Sequence, residues 1–426
     1  MRRRWCAVLV LGSLLAVAAC DGDDDDSATD PEEWTTLELD AGGSQLVYHR
    51  DGYLDIVDES GNVILAHGIG ALRLDEWGEE ALRLTTDADR ERLVDFTSGT
   101  TALGDAQRIE VTVTGADGEP DLLWSIAAYR AGGFYTFRLA IDNSTEDTLA
   151  LAKATPLETR WDEDGGLFLG QAPAEHRILE NGSYAALDFI AMVNPGDMER
   201  DEAYANIAPG EFEGHSVSTN NHAIIDLGCA GSGAPGSCGW VAGALSFQTS
   251  APVVEVSHNP LLAPTSADGR LGFHYFAAEA AWLPDPRPLA PGEDLDSEWF
   301  YVRPVAGDVG GALEEYADAV AAAVGTVPWH RREEGRRVPN GWNSWSGSGS
   351  TGGYGTGLGE AEVLENLDVM ATELRDWGID WFQVDDGYEP HYGDWYDWVE
   401  EKYPSGPAGL SQAIRDRGLK PGLWMA

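Results

Sequence analysis

The sequence predicts a large antiparallel β-sandwich followed by the opening of a parallel α/β sheet. Two observations carry that expectation. Period-two alternation runs through positions 34–305: Ile109, Val111 and Val113 alternate with Glu110, Thr112 and Thr114, and Tyr135, Phe137, Leu139 and Ile141 alternate with Thr136, Arg138 and Ala140. After Pro339 the pattern changes. Three short apolar runs, each tipped by polar or aromatic residues, recur about every forty positions with amphipathic segments between them, as parallel strands joined by crossover helices do.

In the first region, turn signals such as Asp51-Gly52, Ser60-Gly61-Asn62, Asp117-Gly118 and Asn181-Gly182 separate the runs. Strands of this kind are expected to bury one face and wet the other. The region shows no internal repeat and no catalytic constellation. Asp162-Glu163-Asp164-Gly165 reads as a solvated turn in preference to a cation loop. His49, His67, His176, His215, His222, His258 and His274 lack metal-ligand spacing, so no metal site is expected. Positions 306–338 are assigned to a linker helix and boundary. Asp308 caps a helical stripe of Leu313, Tyr316, Ala317, Val320 and Val324 that is expected to lead out of the sandwich, and the charged run 328–337 follows.

With 426 residues, 43% of them hydrophobic, the chain can bury at least one large core. Its 73 acidic and 27 basic residues give a formal charge of -46, which repels a phosphate backbone and argues against nucleic acid as a partner. Positions 1–19 read as an export signal: Arg2, Arg3 and Arg4 precede an apolar core that ends in Ala18 and Ala19. Val17-Ala18-Ala19-Cys20 resembles the lipobox of bacterial lipoproteins, which implies cleavage before Cys20, acylation of its thiol and attachment to a membrane of the cell envelope. The acidic stretch 20–33 then reads as an extended tether. Cys229 and Cys238 flank a turn-forming segment, and export favours a disulfide between them over two free thiols.

The last region, 339–426, holds the residues of chemical interest. A helix is expected from Glu360 to Trp377, with Val363, Leu364, Leu367, Met370, Leu374 and Trp377 on its buried stripe, and a second from Leu410 to Arg417. The strand between them delivers Asp385 and Asp386 to its C-terminal end, where parallel sheets place ligands. Taken alone, Asp-Asp-Gly reads as a turn or helix cap. The surrounding Trp342, Trp345, Trp381, Trp395, Trp398 and Trp424 shift the reading toward a sugar site, since aromatic faces stack on sugar C–H faces while carboxylates take hydroxyls. Adjacent strand residues point to opposite sides, so the two aspartates are read as hydroxyl acceptors and not as nucleophile and acid.

Gly341-Trp342-Asn343-Ser344-Trp345, Val384-Asp385-Asp386-Gly387-Tyr388, Gly393-Asp394-Trp395, Tyr403-Pro404-Ser405-Gly406 and Gly418-Leu419-Lys420-Pro421-Gly422-Leu423-Trp424 together resemble the start of the α-galactosidase (melibiase) barrel of glycoside hydrolase families 36 and 27. The resemblance implies an N-terminal β-supersandwich before a (β/α)8 TIM barrel, of which 339–426 supplies the first three strand–helix units. It implies that Trp342, Asp385, Asp386, Trp395 and Trp424 bind a terminal galactose, that an oligosaccharide or glycoconjugate is the substrate, and that no metal or organic cofactor is needed. Tyr388 departs from the tryptophan usual in the family. The family's nucleophile and acid/base aspartates come from later strands, so none of the chain's residues is assigned a catalytic role. A fragment without glycosidase activity is therefore expected, from a retaining glycosidase parent. The alternatives are a non-catalytic surface carbohydrate-binding lipoprotein, or a related α-glycosidase or galactosyl-transfer specificity.

Overall fold

The computed structural model describes residues 35–75, 85–116, 118–170, 172–176, 178–181, 190–193, 215–220, 224–226, 239–259, 261–282, 285–327, 339–345 and 355–425. The signal and tether, Cys20, and the Cys229 and Cys238 pair lie outside these residues. The chain divides into two compact units between Thr326 and Val327.

The first unit is built from two ten-stranded sheets. One runs in the order Thr36–Asp40, Ser44–His49, Leu54–Asp58, Val63–Leu74, Leu149–Arg160, Tyr275–Ala281, Ala251–His258 and His215–Asn220, with Gly166–Leu167 and Arg287–Leu289 pairing off this path. The path of the other passes from Ile190–Val193 through Gly239–Ala244, Phe300–Val305, Phe134–Asp142 and Asp121–Tyr129 to the hairpin Gly104–Val113 and Arg92–Thr101. All the pairings in these sheets are antiparallel. The alternating apolar residues meet between the sheets. Trp124 packs edge-on to Tyr48 at 6.2 Å, and Trp240 edge-on to Phe276 at 5.4 Å. The indole N–H of Trp124 donates to the carbonyl of Pro156 at 2.7 Å, so this buried donor is satisfied.

The expected wet face is missing from the central strands. Thr136 and Ala140 are buried as well as Tyr135, Phe137, Leu139 and Ile141. The helix Val309–Ala323 accounts for part of this. It lies on the outside of the second sheet, where Val309, Ala312, Tyr316 and Ala319 cover Ala127, Tyr129, Phe134, Val241 and Tyr301. Asp308 caps it by accepting from the Gly311 N–H at 3.0 Å, and the Tyr316 hydroxyl donates to the Ala244 carbonyl at 2.6 Å. The helix expected to lead out of the sandwich is thus part of its second core.

On the first sheet, Phe276, Ala278 and Ala280 enter the core while Glu279 is buried on the opposite face, where Lys153 donates to it at 2.8 Å. Around the acidic turn at 162–165, Arg160 pairs with Asp162 and the Tyr53 hydroxyl donates to Glu163.

The second unit contains a three-stranded parallel sheet, Gly341–Asn343, Trp381–Val384 and Lys420–Leu423, in chain order. Its crossover helices are Glu360–Val369 and Gly406–Asp416. Val363, Leu367, Leu410, Ile414 and Leu419 pack with Phe382 and Val384 of the middle strand. The first helix ends earlier than its apolar stripe suggests. Met370–Leu374 form a π turn and Arg375–Trp377 a 3-10 turn. The wider turn rotates later side chains off the stripe, so Met370 stays buried whereas Trp377 is 85% exposed.

Candidate functional site

In the parallel register Asn343 lies beside Gln383, and Val384 beside Leu423. Residues just past these positions therefore gather at one end of the sheet: Ser344, then Asp385 and Asp386, then Trp424. Alternation places Phe382 and Val384 on the helix-covered face and sends Gln383 and Asp385 to the other. The backbone continues the alignment, since the Trp424 N–H donates to the Val384 carbonyl at 2.9 Å.

The two aspartates occupy unlike environments. Asp385 is 7% exposed, and protein donors engage both its oxygens: Asn343 Nδ2 at 2.7 Å and Gln383 Nε2 at 3.3 Å on Oδ2, and the Asp386 backbone N–H at 2.9 Å on Oδ1. Its own N–H donates to Ser344 Oγ at 2.8 Å. Asp386 is half-buried, and its carboxylate accepts from the Tyr392 hydroxyl at 2.9 Å on Oδ2. An ionised carboxylate offers about four lone-pair sites, so Asp386 retains acceptor capacity toward solvent while Asp385 is largely engaged by the protein.

Gly387 closes the turn that follows. Its φ is +102°, and a Cβ there would stand 2.6 Å from the Thr356 Cα, so only glycine fits without strain. Lys402 Nζ donates to the carbonyls of Thr356 and Gly387 at 2.6 and 2.9 Å and clamps the two segments together. Tyr388 is buried against Trp398 and donates to the Trp424 carbonyl at 3.0 Å. Burial, with the charges of Glu389 and Asp386, pushes its pKa up to about 12, so it remains a donor.

Trp424 is the hub of the aromatic residues, with Trp395 edge-on to it at 6.0 Å and Tyr392 at 6.2 Å. The structure therefore gathers Asp385, Asp386, Trp395 and Trp424. Trp342 lies elsewhere in the unit: it stacks on Phe382 at 4.4 Å, on the helix-covered face of the sheet. Sequence reasoning left Asn343, Gln383, Ser344 and Tyr392 without roles. The position of Asn343 at a strand tip was the available signal for the first; Tyr392 had none beyond standing before the Gly393 turn.

No protein-family model matches the chain. An α-galactosidase of Escherichia coli is 26% identical over 165 residues, 37% of this chain and 21% of that protein. Among solved structures, the galactosidase domain of an α-galactosidase–sucrose kinase, AgaSK, matches with a TM-score of 0.52 at 13% identity, covering 93% of this chain and 57% of that one. The family 36 α-galactosidase AgaA of Geobacillus stearothermophilus matches with a TM-score of 0.51 at 13% identity, covering 92% and 56%. This chain is α-galactosidase-like.

The α-galactosidase-like chain has the fold class expected of it, a β-supersandwich followed by parallel strand–helix units. It spans about a fifth of the curated relative's length and little more than half of the solved ones.

Proposed function

We propose that this chain contributes to an exported α-galactosidase-type retaining glycoside hydrolase acting on terminal α-linked galactose, and that the strand-tip cluster is the sugar-recognising side of the site. The observation that carries the proposal is the inequality of the two aspartates. Asp385 is fastened by protein donors, and it holds Asp386 in place with acceptor capacity to spare, linked through Tyr392 to the Trp424 ring, which Trp395 meets in turn. Fixed acceptors next to aromatic faces suit a neutral polyol. An AgaA variant of the same fold was solved in complex with stachyose.

A retaining glycosidase needs two carboxylates about 5 Å apart on either side of the scissile bond, one attacking the anomeric carbon and one protonating the leaving oxygen. Asp385, engaged on both oxygens, is poorly disposed to either role. We assign nucleophile and acid/base to carboxylates outside these three strands, and closure of a (β/α)8 barrel to further strand–helix units. Double displacement through a glycosyl-aspartate uses no metal or organic cofactor. The signal at 1–19, the lipobox cysteine Cys20 and the acidic tether complete the reading as a lipoprotein of the bacterial cell envelope.

Titration of galactose into the 426-residue chain and into its Asp386→Asn variant tests this. The variant is expected to bind at least about thirtyfold more weakly, the size of a lost charge-assisted hydrogen bond, and the chain is expected to leave a nitrophenyl α-galactoside intact. Turnover by this chain would refute the placement of the catalytic pair elsewhere. Equal affinities would refute the sugar site and favour a second reading, a non-catalytic carbohydrate-binding sandwich. One observation supports that reading: a cleft of about 420 Å³ in the first unit, lined by Asp40, Ser98, Thr100, Asp105, Gln107 and Arg130.

A further inference from the structure

We infer that Tyr392 is a specificity-determining residue of the sugar site: its phenol holds the Asp386 acceptor until a sugar hydroxyl replaces it, and its ring then borders the unit attached to galactose. The inference rests on the reading of Asp386 as a sugar acceptor.

Tyr392 is both exposed and anchored. Its side chain is 72% exposed, yet its hydroxyl lies 2.9 Å from Asp386 Oδ2 and its ring meets the edge of Trp424. It occupies the second position of the turn His391 to Asp394, closed by the Asp394 N–H on the His391 carbonyl at 3.0 Å. Gly393 takes the left-handed third position at φ +99°, so the turn is of type II. His391, Gly393, Asp394, Tyr396 and Asp397 are exposed. A small rotation of the Tyr392 side chain therefore moves its hydroxyl off Asp386 without disturbing a packed core.

The exchange matches donor for donor. A sugar hydroxyl, like the phenol, is a neutral O–H donor, and it can take over the charge-assisted bond to Asp386 with little net change. A phosphate or carboxylate ligand would set acceptor against acceptor there. The chemistry thus disfavours anions and admits neutral polyols. Once displaced from Oδ2, the ring stays on its turn beside Trp424, where it can cover the apolar face of a second sugar unit.

Calorimetric titration of galactose and of raffinose into the wild-type chain, Tyr392→Phe, Tyr392→Ala and Asp386→Asn tests this, with thermal unfolding to confirm that the variants fold. Tyr392→Phe removes the competing donor and keeps the ring. It is expected to bind both sugars about three- to tenfold more tightly. Tyr392→Ala is expected to match the Phe variant for galactose but to lose the raffinose-over-galactose preference by about fivefold. Unchanged or weaker galactose binding in Tyr392→Phe would overturn the placeholder role. An unchanged preference in Tyr392→Ala would overturn the bordering role. If Asp386→Asn loses binding while the Tyr392 variants match wild type, this inference alone falls; if Asp386→Asn binds normally, the sugar-site reading falls and takes the inference with it.

Discussion

Glu298 in the sandwich and Asp386 beside the parallel sheet are both carboxylates next to turns, and the protein treats them in opposite ways. Glu298 is 2% exposed and accepts from the backbone N–H groups of Gln248, Thr249 and Ser250 at 2.8, 2.6 and 3.2 Å, as well as from the hydroxyls of Thr249 and Ser246. Asp386 is half-buried and accepts from the phenol of an exposed tyrosine. A carboxylate surrounded by internal donors pins loops together and has little to offer a ligand. One that is held in place through its backbone, and that accepts from an exposed side chain, is positioned to exchange partners. The sandwich closes Glu298 in on every side; the strand tip leaves Asp386 open.

The contrast is most sharply tested at Lys153. Its side chain and that of Glu279 are 2% and 1% exposed and meet at 2.8 Å. Lys153→Met strands the partner charge, and a loss of about 3–5 kcal/mol is expected in urea unfolding, with galactose affinity unchanged. A loss below about 1 kcal/mol would place the pair among weak surface bridges and blur the distinction. Gly387→Ala should reverse the pattern. Its Cβ meets the Thr356 backbone at a φ of +102°, so a strain of about 1–3 kcal/mol falls on the second unit. Galactose binding should drop at least about tenfold as the aspartates shift; retained affinity would show that the turn tolerates a side chain.

The smallest effect concerns a proton. Burial, and then the nearby His258, hold the His274 pKa down to about 4 from 6.5, while its Nδ1 accepts from the Asn259 N–H at 3.0 Å. The unfolded ring takes up a proton near 6.5 and the folded one only near 4. Between those values the unfolded state therefore binds more protons, and the stabilisation present above pH 6.5 is lost as pH falls toward 4. Thermal unfolding of the sandwich should record a falling Tm across that window, flattened by His274→Gln. A wild-type profile as flat as the variant's would remove His274 from the account.

What could be read in the sequence was local in origin. The runs at 341–345, 381–387 and 419–424 each carry a strand and its tip within a few residues, so their parallel arrangement and the Asp385-Asp386 position followed from spacing. The alternation at 109–113 likewise marked its buried face. Long-range pairing was the hidden part. Thr136 and Ala140 are buried on the face opposite the main core, and no period in their own strand announces what covers that face. Trp377 misled because its place on the stripe assumed a uniform helix, and the π turn at Met370 breaks the count. The difference between Asp385 and Asp386 depends on Asn343, forty-two positions upstream, and on a phenol presented by a turn.

That turn also bears on how such a protein changes over generations. Asp385 is tied to Asn343, Gln383 and Ser344, so a substitution there disturbs two strand tips at once and selection has little room to act on it. Tyr392 sits on an exposed turn closed by the Asp394 N–H and bent at Gly393, and most exchanges at exposed sites cost the fold within about 0.5 kcal/mol. If Tyr392 borders the sugar as proposed, preference for one sugar over another can drift at position 392 while the architecture beneath it stays fixed.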